Sequence, residues 1–218
     1  MIIAFSGTDG SGKSTQINLL SNYLKLNQFK IKIVWARGGY TPLFSFIKKI
    51  LRYVLVRRVP KPGQSVTRDA LFKNIYIAKV WLTISLLDLF LFYGLYVRML
   101  KFLGFVVICD RYIEDTKIDF WRNYSSVFDS KSVLWRLLIW SLPTPNQSFL
   151  LYVPVDVSLF RSKMKGEPFP DTPETLKYRL ECYLNELKFP SSKYYKIDCQ
   201  RPVKDIHDQI KLRFLSFR

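Results

Sequence analysis

Near the start of the chain, Gly7-Thr8-Asp9-Gly10-Ser11-Gly12-Lys13-Ser14-Thr15 combines three glycines, a lysine and four hydroxyls in one short stretch. The spacing fits G-x-x-x-x-G-K-[ST], and it stands after a short apolar run and before a helical pattern, the context this motif requires. Glycines let backbone N–H groups turn inward around phosphate oxygens, and the following helix offers its positive end to the same anions. In such a loop Lys13 reaches the β- and γ-phosphates and the Ser14 hydroxyl ligates Mg²⁺. The implied chemistry is the handling of a nucleoside triphosphate as its Mg²⁺ complex.

A second pair of groups follows another apolar run. Asp110 and Arg111 come directly after residues 105–109, so a carboxylate and a guanidinium stand where that run ends. Phosphoryl transfer needs a metal and a fixed cation to offset the charge between donor and acceptor. Asp110 suits the metal, directly or through water, and the fork of Arg111 suits an acceptor phosphate. A structural salt bridge is the alternative for this pair.

These groups need a scaffold that gathers strand ends. Apolar runs at 2–5, 31–35, 105–109, 149–153 and 194–197 read as strands, with helical spacing between them, beginning at 16–26 with Ile17, Leu20 and Leu24. Strands alternating with helices predict an α/β fold: a three-layer arrangement with a central parallel sheet of about five strands flanked by helices. Ligands then collect at the carboxyl ends of the strands, where both motifs fall. A length of 218 residues fits one such domain spanning 1–218. Residues 59–64, rich in proline and glycine, read as an exposed loop. The stretch 80–97 is apolar enough to raise a membrane span, but Asp88 near its middle would be costly in lipid. A long buried helix with Asp88 facing the active cleft is the expectation, with peripheral membrane contact as the alternative.

Lys and Arg total 34 against 17 Asp and Glu, a formal charge of +17 that favours anionic partners. The excess is spread in pairs such as Lys48-Lys49 and Arg57-Arg58, which reads as a solvated basic surface more than a nucleic-acid face. Three cysteines, Cys109, Cys182 and Cys199, are an odd number without metal-like spacing. Together with an N-terminus that runs straight into the glycine loop, they point to a reducing, cytoplasmic setting.

The stretches from Phe5 to Gln16 and from Val107 to Tyr112 resemble the motifs of the thymidylate kinases, P-loop nucleoside monophosphate kinases. Residues 151–155 and 161–166 resemble that family's strand and lid-bearing helix, and 197–203 resemble its last strand and the loop bordering adenine. The resemblance implies a transferase of nucleotide biosynthesis that converts dTMP to dTDP with ATP and Mg²⁺, commonly as a homodimer. It also implies roles for individual residues. Asp9 would contact the acceptor sugar hydroxyl, Arg37 the acceptor phosphate, and Arg161 and Arg201 the adenine side of ATP. A lid around 161–173 would carry the catalytic cation, from among Arg161, Lys163 and Lys165, because Gly10 and Ser11 leave the P-loop without one. A solvated helix end is the alternative for the two lysines.

The chain also departs from the family. The helix that reads thymine should pass near 85–89, where Asp88 is present but Leu89 stands in place of the expected arginine. The run 113–120 lacks the family's usual Ser and Ala-Tyr-Gln, and the segment 41–69 is longer and more basic than a plain thymidylate kinase needs. Asp88 and Arg111 remain the acceptor-side candidates. A related kinase acting on another phosphorylated or lipid-linked acceptor, and a non-catalytic nucleotide-binding regulator, are the two other readings.

Overall fold

The computed structural model describes residues 1–36, 38, 41, 44, 46, 49, 72–166, 171–186 and 194–216. Arg37, the 59–64 loop and most of the basic 41–69 segment lie outside the described residues. The described chain forms two compact units. One comprises Met1–Trp35, Leu100–Asp115 and Thr144–Arg218, the other Ala36–Met99 and Thr116–Pro143.

The first unit contains a five-stranded, all-parallel sheet. Its strands are β1 (Ile2–Gly7), β2 (Ile31–Trp35), β3 (Val106–Asp110), β4 (Gln147–Tyr152) and β5 (Tyr194–Asp198), in the order β2-β3-β1-β4-β5. This is the expected α/β arrangement of a P-loop NTPase, with every strand within two residues of its sequence-derived bounds. β1 lies at the centre and is buried at all six positions, as a strand covered on both faces must be. Edge strand β2 leaves Ile33 and Trp35 exposed.

Helices α1 (Lys13–Leu26), α6 (Val155–Lys165), α7 (Pro173–Glu181) and α8 (Val203–Leu215) belong to this unit. On one sheet face Ile3, Phe5, Ile108 and Phe149 join Ile17, Leu20 and Leu24 of α1 and Ile206, Ile210 and Phe214 of α8 in one apolar core. Phe5 stacks on Phe149 with ring centres 5.2 Å apart. Residues spaced at three and four along each helix make this packing possible, since they fall on one face. Cys109, Cys182 and Cys199 are free thiols, all buried. The register sets Phe5 beside Asp110, and Trp35 beside the same residue. The glycine loop that follows β1 and the Asp110-Arg111 pair that ends β3 therefore emerge side by side.

The second unit is helical. Helix α2 (Ile75–Leu89) runs into a π-helical stretch (Phe90–Val97), both packed beside α5 (Val133–Ser141), and then into α3 (Arg98–Phe102), whose last three residues belong to the first unit. Helix α4 (Ile113–Asn123) starts in the first unit and ends in the second. Asn74 caps α2, its side chain accepting from the backbone N–H of Tyr76 and Ile77. The core here is aromatic: Phe120 packs against Tyr124, Phe128 and Trp135, and Phe72 against Tyr124 and Trp81. Gly38 has no room for a Cβ, which would lie 2.4 Å from the Phe120 ring.

The 28-residue helical run Ile75–Phe102, which reaches a mean hydropathy of 1.8 over an 18-residue window, is long and apolar enough by length and composition to cross a membrane. Asp88 on it is buried, 2% exposed, and Leu89 is wholly buried. Tyr76, Val80, Leu87, Leu91, Leu95 and Met99 are exposed, so the run is not buried on all sides. α5 adds exposed Leu137 and Trp140.

Candidate active site

The glycine loop takes the shape its composition demands. Gly7 has φ 144°, and a Cβ there would lie 1.9 Å from the Leu151 carbonyl oxygen of β4, so only glycine can stand at this strand end. Gly10 (φ 73°) approaches α6 closely, where a Cβ would come within 2.8 Å of the Ser158 carbonyl oxygen. Gly12 (φ 88°) is the left-handed cap from which α1 begins. Lys13 Nζ donates to the carbonyls of Gly7 (2.9 Å) and Thr8 (2.6 Å), which folds the lysine over its own loop. Burial, aided by the Arg111 guanidinium and opposed by Asp9, Asp110 and Asp115, lowers its pKa from 10.5 to about 8.

Around this loop lies a cavity of about 560 Å³. Its lining includes the loop from Asp9 to Thr15, Asp110 and Arg111 from the end of β3, Arg161 and Lys165 from α6, and Arg201 before α8. These residues come from separate stretches of sequence, and the parallel sheet gathers them at one edge. Gly7 and Thr8 belong to the same loop, before its cavity-lining part. Lys163 is exposed and does not line the cavity, because two residues on from Arg161 a helix has turned to another side. Arg161 is held against the loop by its Nη1 to the Gly10 carbonyl (3.4 Å) and its Nη2 to the Cys199 carbonyl (3.1 Å).

Several features fit a nucleoside triphosphate with its metal. Ser11 Oγ is buried at the cavity with no protein partner among the described residues, a polar atom suited to a phosphate oxygen. Ser14 is exposed at the start of α1, and Asp110 lines the same cavity. Burial raises the Asp110 carboxyl above its usual value, against the lowering effect of Lys13 and Arg111. Among the described residues no cluster of three His, Cys, Asp or Glu side chains is placed to hold a metal. Mg²⁺ does not need one, since it is ordinarily held by one or two protein oxygens together with phosphates and water.

Arg111 sits just past β3 with φ 76°, a left-handed conformation unusual for a side chain with a Cβ. Its Nη2 donates to Asp9 Oδ1 (2.5 Å) and its Nη1 to Asp115 Oδ1 (3.1 Å). Asp9, expected at the acceptor sugar, is thus an ion-pair partner of Arg111. Sequence reasoning missed Asp115 and also Ser158, whose hydroxyl donates to the Asp9 carbonyl at 2.5 Å. For Asp115 a signal existed in the i, i+4 spacing from Arg111. For Ser158 there was none. Asp88, in the helical unit, accepts from the Thr41 hydroxyl on both carboxylate oxygens. Arg37 is outside the described residues.

No family model matches the chain. Curated relatives do. It is 29% identical to a thymidylate kinase from a Sulfurihydrogenibium species over 97% of each chain. It is also 29% identical to a thymidylate kinase from Plasmodium falciparum, over 95% of this chain and 86% of that one. With the parallel sheet, the glycine loop and the Asp-Arg pair in order, the chain is similar to thymidylate kinases over nearly its full length.

Proposed function

We propose that this protein is an ATP-dependent kinase that phosphorylates a nucleoside monophosphate, and that its reaction is ATP plus dTMP to ADP plus dTDP. One observation carries the proposal: Lys13, Asp110 and Arg111 line a single cavity at the carboxyl edge of a parallel sheet. Full-length similarity to thymidylate kinases supports the choice of acceptor.

Catalysis rests on positioning and charge compensation. The loop from Gly7 to Thr15 holds the triphosphate by its backbone N–H groups, with Lys13 against the β- and γ-phosphates. Ser14 and Asp110 would hold Mg²⁺, which when bound neutralises charge on the phosphates. Arg111 and Arg37 grip the acceptor phosphate, whose ionised oxygen attacks in line, so no strong general base is needed. Asp9 and Asp88 serve the acceptor side. Arg161 and Arg201 border the adenine. The stretch around 161–173, of which 167–170 lie outside the described residues, acts as a lid in a kinase that uses the whole chain, with Arg161, Lys163 and Lys165 as its cations. Lys165 shares the cavity with Arg161 and is the stronger candidate of the two lysines. We place the protein in the cytoplasm, working as a homodimer through the exposed apolar side of the Ile75–Phe102 run. Peripheral membrane contact is the less favoured use of that surface.

A related acceptor is the second reading, favoured by Leu89, a wholly buried aliphatic where the family resemblance calls for an arginine. A coupled ADP-release assay across nucleoside monophosphates tests both. Turnover fastest with dTMP supports the first reading, turnover only with another acceptor the second. Silence with every acceptor overturns the kinase assignment.

A further inference from the structure

Asp115 is a buried carboxylate, 2% exposed, that none of the roles above uses. Its surroundings are unusually complete. Oδ1 accepts from Arg111 Nη1 (3.1 Å) and the Tyr183 hydroxyl (2.6 Å), while Oδ2 accepts from Ser6 Oγ (2.6 Å) and the backbone N–H of Tyr112 (3.1 Å). An ionised carboxylate offers about four acceptor positions, and these four donors fill them. The donors come from β1, from the turn after β3 and from the π-helical turn Cys182–Glu186 after α7. One side chain therefore ties together the strand that leads into the glycine loop, the residue that carries the guanidinium, and a helix end more than sixty positions away.

We propose that Asp115 is the positioning residue for Arg111, holding its guanidinium fork in the orientation that grips the acceptor phosphate. This rests on the reading of Arg111 as the acceptor clamp. The geometry requires such a support. Arg111 is only 6% exposed and its backbone is in the left-handed region, so its side chain is aimed by the turn but fixed by what it meets. Asp9 holds Nη2 and Asp115 holds Nη1, so the two ends of the fork are set independently. A guanidinium pinned at both terminal nitrogens loses the rotation that would otherwise be frozen out when phosphate binds, and preorganisation of this kind strengthens binding. A buried ion pair is favourable only when its remaining polar positions are also satisfied, which Ser6, Tyr112 and Tyr183 accomplish. Burial and the charge of Asp115 push the Tyr183 hydroxyl well above its ordinary pKa, so it stays a donor.

Asp115→Asn keeps the shape but turns one oxygen into an NH₂ group, which must face donors on whichever side it lies. The expected result is a rise of about tenfold or more in KM for the acceptor, with KM for ATP within about twofold. Tyr183→Phe removes one of the four bonds with little risk to folding and should shift acceptor KM in the same direction by about threefold. In an Arg111→Gln background Asp115→Asn should add less than about threefold, because its effect runs through Arg111. Full additivity, or equal losses for both substrates, overturns the proposal. A readout independent of turnover separates it from the proposed reaction. In ¹⁵N-arginine-labelled protein, rotation about the Arg111 Nε–Cζ bond should be slow in the wild type and averaged in Asp115→Asn. Slow rotation with no turnover of any monophosphate would defeat the reaction and leave the positioning role standing. Rotation unchanged by the substitution would defeat the positioning role.

Discussion

The sheet unit and the helical unit hold their candidate site residues by different means. In the first, backbone does most of the work: Gly7, Gly10 and Gly12 adopt positive φ, strand ends deliver Asp110 and the glycine loop side by side, and carbonyls hold Lys13 and Arg161. In the second, side chains pack on side chains, with Phe120 central to an aromatic cluster and Asp88 met by a threonine hydroxyl. A backbone-built site tolerates few residue types at each position and so leaves a motif in the sequence. A side-chain-built one can be assembled from many sequences and leaves little.

The comparison is broken most directly at Lys13. Lys13→Ala should lower kcat by about a thousandfold or more, since the transition state loses a fixed cation where charge is redistributed. The fold should survive, because Lys13 contributes a side chain to a loop otherwise shaped by glycine. Steady-state kinetics and circular dichroism check both halves. A folded variant that keeps most of its kcat would remove the glycine loop from the mechanism.

Phe120→Ala should act in the opposite way. Removing a buried ring that meets Tyr124, Phe128 and Trp135 should cost about 3–5 kcal/mol of stability by the usual scale for large-to-small core changes. The denaturant midpoint measures it. Below that midpoint, affinity for a fluorescent ATP analogue should stay within about twofold of wild type, since the cavity proposed for ATP is lined by residues of the other unit. A large loss of ATP affinity with little loss of stability would reverse the contrast drawn here.

The same contrast explains what was legible in advance. The three central strands could be read because buried parallel strands are continuous apolar runs, and edge strands β2 and β5 because β-branched and aromatic residues recur in them. Lys13, Ser14, Asp110 and Arg111, which line one cavity, could be singled out because their motifs stand at the ends of those strands. Asp115 was passed over as a departure from a family pattern, although its spacing from Arg111 was in view. Its importance comes from Ser6 and Tyr183, and nothing local in the sequence brings those residues to it. The stretch 80–97 reads from its hydropathy as a long buried helix, yet Val80, Leu87, Leu91 and Leu95 on it are exposed. Hydrophobicity identifies the helix but not which side is covered.

A smaller effect concerns pH. Lys13 titrates near 8 in the folded protein and near 10.5 when unfolded, so between those values the unfolded chain binds more protons. Stability contributed by this group therefore rises with pH across that window. Activity runs the other way, because the neutral amine cannot offset phosphate charge. We expect kcat/KM for ATP to fall by about tenfold per pH unit above about 8, with kcat itself falling at higher pH because bound phosphates favour the protonated amine. A flat kcat/KM profile from pH 7 to 10 would show that Lys13 keeps its proton despite burial.

The smallest expected effect tests the proposed acceptor-side role of Asp88 in the helical unit. A pocket that hydrogen-bonds a base can reject analogues by a factor of roughly ten thousand or more, because a wrong base leaves buried polar groups unpaired. Leu89 offers no such group. Placing an arginine there is a poor test, since that position is wholly buried and a guanidinium would have to be accommodated in the core. Asp88, one residue away, is the better probe, and its two oxygens are already engaged by Thr41. We expect the ratio of kcat/KM for dTMP over dUMP and dCMP to lie well below that limit in the wild type, and Asp88→Asn to lower it by a further threefold to tenfold, about the worth of one hydrogen bond. If Asp88→Asn instead lowers the melting temperature and leaves the ratio unchanged, the Thr41-Asp88 contact is a structural clamp, and whatever reads the base lies elsewhere in the chain.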